Sequence, residues 1–335
     1  LLKLPVGNEF WLTFMQNFKD DESKAPLNLE LFITGDQDAK VHIEIKAIKF
    51  KKDLFVPAGT VISEVVSYLA QVKSSETVES GLAVHITSDN PISVYGLNRR
   101  HQTTDTYLGL PTNVIGKEYR VMCYHVTEDF LPIFAIVAAE DNTVVQITPN
   151  ADTYAGRPKS VPFEVTLNKG DVYQVKPAVK RSNKKEADLT GSLITSNKNI
   201  SVFSGHQCSY VPAGPPPVIA CNHLAEQMPP ISSWGKHFYI GKLKGRSQYT
   251  YRVLANENET KVFENSTLLR VLKAGEYLER NGNQNLQITA DKPVLVAQYS
   301  QGFDNGDSIG DPMMLLITPT QQFLKQYRFA TPING

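Results

Sequence analysis

One phrase recurs along this chain and sets what it can fold into: a glycine, one or two polar residues, then an aromatic that opens a β-like run. It reads Gly7-Asn8-Glu9-Phe10, Gly116-Lys117-Glu118-Tyr119 and Gly235-Lys236-His237-Phe238, with a worn copy at Leu324-Lys325-Gln326-Tyr327. Self-similarity at an interval means one structural unit duplicated along the chain. Further phrases follow in the same order inside each unit. An apolar strand closes in an acidic turn before a second strand, around Gly35-Asp36, Glu140-Asp141-Asn142 and Asn256-Glu257-Asn258. A glycine turn comes next, at Ala58-Gly59-Thr60, Lys169-Gly170-Asp171 and Ala274-Gly275-Glu276. The strongest echo pairs Ile86-Thr87-Ser88-Asp89-Asn90-Pro91-Ile92 with Ile194-Thr195-Ser196-Asn197-Lys198-Asn199-Ile200 and Ile288-Thr289-Ala290-Asp291-Lys292-Pro293-Val294. Short Asp/Asn/Lys/Pro interruptions between β-branched runs read as hairpin turns.

The expected fold is therefore all-β: three tandem β-sandwich-like repeat units with long loops. The boundaries fall at 1–115, 116–234 and 235–324, with 325–335 as the start of a further strand or unit. Spacings of about 109, 119 and 89 residues match single β-sandwiches, and 335 residues exceed what one core commonly supports. Separate sandwiches and sheets shared between units both fit these lengths. The stretch 63–72 suits a helix or a strand. On the opening strand, Phe10, Leu12 and Phe14 share one face and Trp11, Thr13 and Met15 the other, so this strand is buried on both sides or meets a neighbour. Such units could continue head to tail with copies of themselves, giving a homo-oligomer or filament.

Charge excludes some partners. Thirty-four basic side chains balance thirty-four acidic ones, which leaves no footprint for nucleic acid or an anionic membrane surface. No apolar run is long enough to span a bilayer. The chain starts at Leu1 without a leader and stops inside an opening phrase, so it reads as a piece of something longer.

Three long segments, 98–113, 205–233 and 301–319, read as loops at equivalent places, where binding commonly resides. The second is the richest. It holds Gly205-His206-Gln207-Cys208, Tyr210, a proline tract over 212–217, Cys221-Asn222-His223, Glu226-Gln227, Pro229-Pro230 and Trp234-Gly235-Lys236. This pattern, with the flanking Ile-Thr-Ser and Ile-Ser-Val runs and the Asp105 to Tyr119 segment, resembles the N-terminal domain of the IgG Fc-binding protein family. The resemblance implies a β-rich module of large secreted, mucus-associated proteins, often joined to von Willebrand D-type domains, which binds proteins or glycans. It implies no catalytic residues and no cofactor.

Read by themselves, Cys208 and Cys221 enclose about twelve residues rich in proline and glycine, and a covalent closure there would be worth about 3 kcal/mol in the chain-entropy model. A disulfide, which requires an oxidising compartment, stands beside two alternatives: free thiols, or a zinc site drawing on Cys208, Cys221, His223 and His206 or Glu226, whose spacing fits no common zinc module. Cys123 reads as a buried small hydrophobe. The sequons at Asn199, Asn258 and Asn265 offer glycosylation sites. An enzyme would need a constellation that the sequence does not display: Ser204 and His206 have no nucleophile-elbow context, and no HExxH, phosphate loop or dinucleotide fingerprint occurs. The acidic stretch Asp304-Asn305-Gly306-Asp307-Ser308-Ile309-Gly310-Asp311 lacks the glutamate of an EF-hand; Asp311, ahead of an apolar run ending in proline, reads as the match of Asp105. Arg99-Arg100-His101 reads as a hydrated tip. The leading expectation is a secreted, non-catalytic recognition or adhesion module whose candidate binding loop presents His206, Gln207, Tyr210, Asn222, His223, Glu226 and Trp234 to a protein or glycan. The runner-up is a self-associating block of an extracellular fibre, matrix or gel.

Overall fold

In a computed structural model of the chain, residues 5–18, 26–127, 130–179, 187–214 and 216–324 are described. The worn fourth phrase and the further unit expected over 325–335 lie outside them, except for Leu324. Among the described residues the fold is all-β, broken only by single turns of 3₁₀ helix. The first sheet contains β1 (Gly7–Leu12), β2 (Asn28–Gly35), β3 (Ala39–Ile45), β4 (Phe50–Val56), β5 (Val61–Val66), β7 (Val84–Arg100) and β8 (Thr103–Leu108); β6 (Val78–Glu79) leaves it for the second sheet. Its order is β4-β3-β7-β2-β5, with β1 and β8 also paired to β7. The segment 63–72 thus resolves into strand and a 3₁₀ turn at Tyr68–Ala70.

The second sheet repeats the plan with β9 (Gly116–Arg120), β10 (Pro132–Ala138), β11 (Thr143–Thr148), β12 (Phe163–Leu167), β13 (Val172–Val175), β14 (Leu193–Ser209) and β15 (Asn222–Gln227). The third does so with β16 (Gly235–Ile240), β17 (Tyr249–Ala255), β18 (Thr260–Glu264), β19 (Thr267–Leu272), β20 (Tyr277–Gly282), β21 (Leu286–Ser300) and β22 (Met313–Leu316).

Two sequence expectations are corrected. The Asp/Asn/Pro interruptions are not hairpin turns. Residues 84–100 form one long strand that serves two layers: its first half pairs with β1 and β3, its second with β2 and β8. The polar residues sit at the elbow, where the register shifts, and cap an incoming strand instead of reversing their own. Asp89 accepts Lys40 N–H (2.7 Å), Asn197 accepts Val144 N–H (2.9 Å) and Asp291 accepts Lys261 N–H (2.8 Å). Likewise β2 and β3 are not paired with each other; the acidic turn carries the chain from one layer to the other. The three long segments are also not loops throughout, because each holds a strand, β8, β15 or β22, that lies against the second half of the long strand.

The repeated glycine has a steric cause. A Cβ on Gly7 would lie 2.5 Å from Pro111 Cβ, on Gly116 2.8 Å from Pro230 Cβ, and on Gly235 2.2 Å from Pro319 Cβ, so each opening strand runs against the proline that follows its own unit's last strand. Between the layers, alternate residues such as Phe10, Leu12, Leu31, Ile33, Ile43, Ile86 and Val94 form the first core. That core runs on into Ile133, Ala135, Val137, Val172, Phe203 and Ala225 of the second sheet. The second core takes in Leu254, Leu295, Ala297, Tyr299 and Met314 of the third. The units are therefore packed on one another. Trp11, on the outer face of β1, stacks on His85 of its own sheet at 3.8 Å and meets the second unit through Lys169, whose ammonium lies 5.3 Å from the ring.

A candidate binding site at the disulfide-closed loop

The residues that sequence reasoning assigned to one exposed loop divide into a buried base and an exposed tip. His206, Gln207 and Cys208 belong to β14, and Asn222, His223 and Glu226 to β15. His206, Gln207, Asn222, His223 and Trp234 are buried, while Tyr210 and Glu226 are half-buried. The strand pair thus encloses His206, Gln207, Asn222 and His223, and leaves Tyr210 and Glu226 partly accessible.

The base is a junction of all three units. Asn222 accepts Thr104 N–H (2.6 Å) from β8, and its amide nitrogen donates to Thr104 O (2.8 Å) and to Pro312 O (2.7 Å) beside β22. Asp105 accepts Ala225 N–H (2.9 Å), and Gln227 accepts Leu110 N–H (2.7 Å). Burial raises the Asp105 carboxyl to about 7, against amide hydrogen bonds that pull the other way. Burial and then the Asp105 charge raise Glu226 well above the usual carboxylate range. Both residues keep some accessible surface, yet protein packs closely around each carboxyl. By strand register Asp105 matches Met313 and not Asp311.

Burial also keeps both histidines neutral, lowering His206 to about 3 and His223 to about 4. His206 Nδ1 accepts Cys208 N–H (3.1 Å), so the ring is an acceptor there. The sulfurs of Cys208 and Cys221 are joined to each other at 1.97 Å, which removes both as thiolate ligands. Among the described residues no group of three or more His, Cys, Asp or Glu is placed to hold a metal ion. Cys123 is buried with its thiol pushed up, first by burial and then by Asp188.

Above this base the disulfide closes an arch. Val211-Pro212 is cis, Val218 N–H donates to Pro212 O (3.1 Å), and Tyr210 N–H donates to Thr127 Oγ1 (3.0 Å). Gly214, Pro216, Pro217 and Ile219 are exposed, Ile219 by 54%. The arch rests on the third unit: Gly302 N–H donates to Val211 O (2.8 Å), and Phe303, next in sequence, is exposed. The acidic segment 304–311 is organised by an arginine. Arg246 pairs with Asp307 at 3.3 Å and donates to Ile309 O and Gln301 O.

Of the sequon asparagines, Asn258 and Asn265 are exposed in turns, each using Oδ1 to accept a backbone N–H, and Asn199 is half-buried beside an elbow. Arg99 and His101 are exposed as expected of a hydrated tip, whereas Arg100 is buried.

Sequence reasoning missed one cluster. Arg252, fully buried on β17, donates to Glu279 (2.7 Å), Asp188 (2.8 Å), Thr190 Oγ1 (2.8 Å) and Cys123 O (2.8 Å), and its guanidinium lies 4.3 Å from the ring centres of both Tyr124 and Tyr277. The available signal was a lone arginine inside the apolar run Tyr249–Ala255.

The chain is thus a β-repeat protein of three fused seven-stranded units, with a disulfide-pinned arch where they meet. It belongs to the IgGFc binding protein family, whose profile matches residues 105–335. The human IgGFc-binding protein is 28% identical over 97% of this chain, and the chain spans 6% of that protein's length. Among solved structures, an anti-sigma factor domain-containing protein aligns over 94% of this chain and 82% of its own at 9% identity, with a TM-score of 0.16, too low to mark a shared fold. No helix among the described residues is long and apolar enough to cross a membrane.

Proposed function

We propose that this chain is a secreted, non-catalytic recognition module that grips a protein partner through the arch at 210–221 and the adjoining 302–309 segment. The observation that carries this reading is the arch itself: a covalently closed, proline-rich tip showing Ile219, beside exposed Phe303 and Ile309, on a base tied to three sheets. Such a tip loses little freedom on binding, and exposed apolar side chains on a fixed frame are what a protein surface can bury. The disulfide supports an oxidising compartment, and exposed Asn258 and Asn265 support glycosylation there. The relative's name makes the Fc portion of IgG the first partner to test.

The test is capture of IgG Fc, and then of mucus glycoproteins, by the immobilised 335-residue chain. Ile219→Asp with Phe303→Ser should weaken capture at least tenfold while the thermal midpoint stays within about 2 °C, since both side chains are largely exposed. Undiminished capture by the double variant would move the site away from the arch.

A further inference from the structure

The strip of the third unit that adjoins the arch has little regular structure to hold it. Between the end of β21 at Ser300 and the start of β22 at Met313, the described residues 301–312 form one 3₁₀ turn, Phe303–Asn305, and no strand. Phe303 is 45% exposed on this strip and Ile309 48%. Apolar side chains on a loosely held segment give up their freedom when a partner orders them, and that loss is subtracted from affinity. Here the strip is tied to one side chain.

That side chain is Arg246, in the turn between β16 and β17. It is buried, and its guanidinium meets oxygens from three places along the strip: Nη2 donates to Gln301 O (2.5 Å), Nη1 donates to Ile309 O, and Nε lies 3.3 Å from Asp307 Oδ2. The same Asp307 oxygen accepts Ser247 N–H (2.9 Å) and an Asn305 Nδ2 hydrogen (3.0 Å), which turns the carboxylate toward the guanidinium. A planar fork of donors that stays charged can hold three such oxygens at once, as a single ammonium on a flexible stem cannot. Asp307 also supplies the countercharge that a buried cation requires.

Two glycines show how closely the strip is drawn in. Gly310 has φ +68°, and a Cβ there would lie 2.1 Å from Arg246 Nη1. Near the other end, Gly302 donates its N–H to Val211 O (2.8 Å), and a Cβ on it would lie 2.8 Å from Ile219 O. Gln301, whose carbonyl Arg246 holds, therefore precedes the residue that touches the arch, and Phe303 follows it. One guanidinium thus fixes Ile309 directly and, through Gln301 and Gly302, fixes Phe303 beside Ile219.

We infer that Arg246 is a positioning residue of the recognition surface: it clamps the strip 301–311 against the arch, so that Ile219, Phe303 and Ile309 meet a partner as one preformed patch. The inference rests on the reading that arch and strip grip a protein, but the clamp can be measured with no partner present. It does for the strip by charge-assisted hydrogen bonds what the disulfide does for the arch covalently.

Amide exchange in the unliganded 335-residue chain tests the clamp. In Arg246→Ala the amides of 302–311 should exchange at least tenfold faster than in the wild type, with β17 and β21 unchanged. Millimolar guanidinium chloride, far below denaturing concentrations, should return them toward the wild-type rate by filling the vacated position, and sodium chloride at the same ionic strength should not. Gly310→Ala, which displaces the guanidinium without removing it, should loosen the same amides with no such rescue. Unchanged exchange over 302–311, acceleration that spreads into β17 and β21, or indifference to guanidinium would overturn the clamp. Capture of IgG Fc tests its purpose: both variants should bind at least tenfold more weakly, and guanidinium should restore Arg246→Ala alone. Undiminished capture by the two loosened variants, where Ile219→Asp with Phe303→Ser weakens it, would overturn the positioning role. A wild type that captures neither Fc nor mucus glycoproteins would overturn the recognition reading, and the exchange rates would still decide the clamp.

Discussion

Asp105 shows how one carboxyl couples the three units to pH. Its folded value is about 7, against 3.8 for the free side chain. Between about pH 4 and 7 the folded state holds a proton that the unfolded chain has lost, so this group's contribution to stability falls as pH rises through that window. His206 and His223 act with the opposite sign: held at about 3 and 4 in the fold, they contribute stability that is lost as pH falls from about 6.5 through those values. Comparing Asp105→Asn with the wild type cancels the histidines, and asparagine still offers Oδ1 to Ala225 N–H. Discounting for the surface that Asp105 retains, the wild type should lose about 1–2 kcal/mol between pH 5 and 8 that the variant keeps. Urea titrations across that range measure it, and parallel slopes for the two proteins would show that the carboxyl does not hold its proton in the junction.

At the scale of elements, the elbow of the long strand is the device that turns one sheet into two layers. Asp89, Asn197 and Asp291 each receive the first amides of an incoming strand in the same way, and the three share no partner. Replacing any one with alanine should cost about 0.5–1.5 kcal/mol, and the three costs should add, as they do for independent sites. Asn197→Asp, which keeps the acceptor, should cost less than Asn197→Ala; equal losses would mean that the elbow is held by strand pairing alone. The recurrence of these residues was legible in the sequence, and it located all three elbows. Their role was not. Asp, Asn and Pro between β-branched runs suit a reversal and a bend equally well, and the difference depends on β1, β2, β3 and β8, which pair from distant parts of the chain. The same distance hid the burial of His206, Asn222 and His223. Locally they look like loop residues, and only contact with β8 and β22 encloses them. The alternating pattern that fixed the all-β class needed no such partners, which is why it could be read directly.

For the whole molecule the decisive contact is Arg252, because it joins the second unit to the third where a sequence reading would expect another apolar residue. Its counterpart in the second unit is Ala135, buried in the first core. Burial disfavours the charge of Arg252, yet Asp188 and the surrounding tyrosines and Glu279 hold its proton firmly, raising it above the ordinary arginine value. Burial alone would push the Glu279 carboxyl up, but Arg252 and His125 bring it down to about 2. A depressed carboxylate contributes stability that is complete above its unfolded value near 4.5 and is lost as pH falls through about 2, so this cluster stays intact across the range in which Asp105 titrates. Arg252→Met would leave Asp188 and Glu279 charged, partly enclosed and without their cation, at a cost of about 3–5 kcal/mol. Adding Asp188→Asn and Glu279→Gln should recover most of that loss, since a neutral, hydrogen-bonded site no longer holds uncompensated charge. Amide exchange would locate the damage: in Arg252→Met, β17 and β20 should exchange faster than β3 and β7 if the third unit loosens from a stack that otherwise stays folded. Uniform acceleration in all three sheets would instead mean that the stack melts as one body, with Arg252 supporting every unit and not one interface.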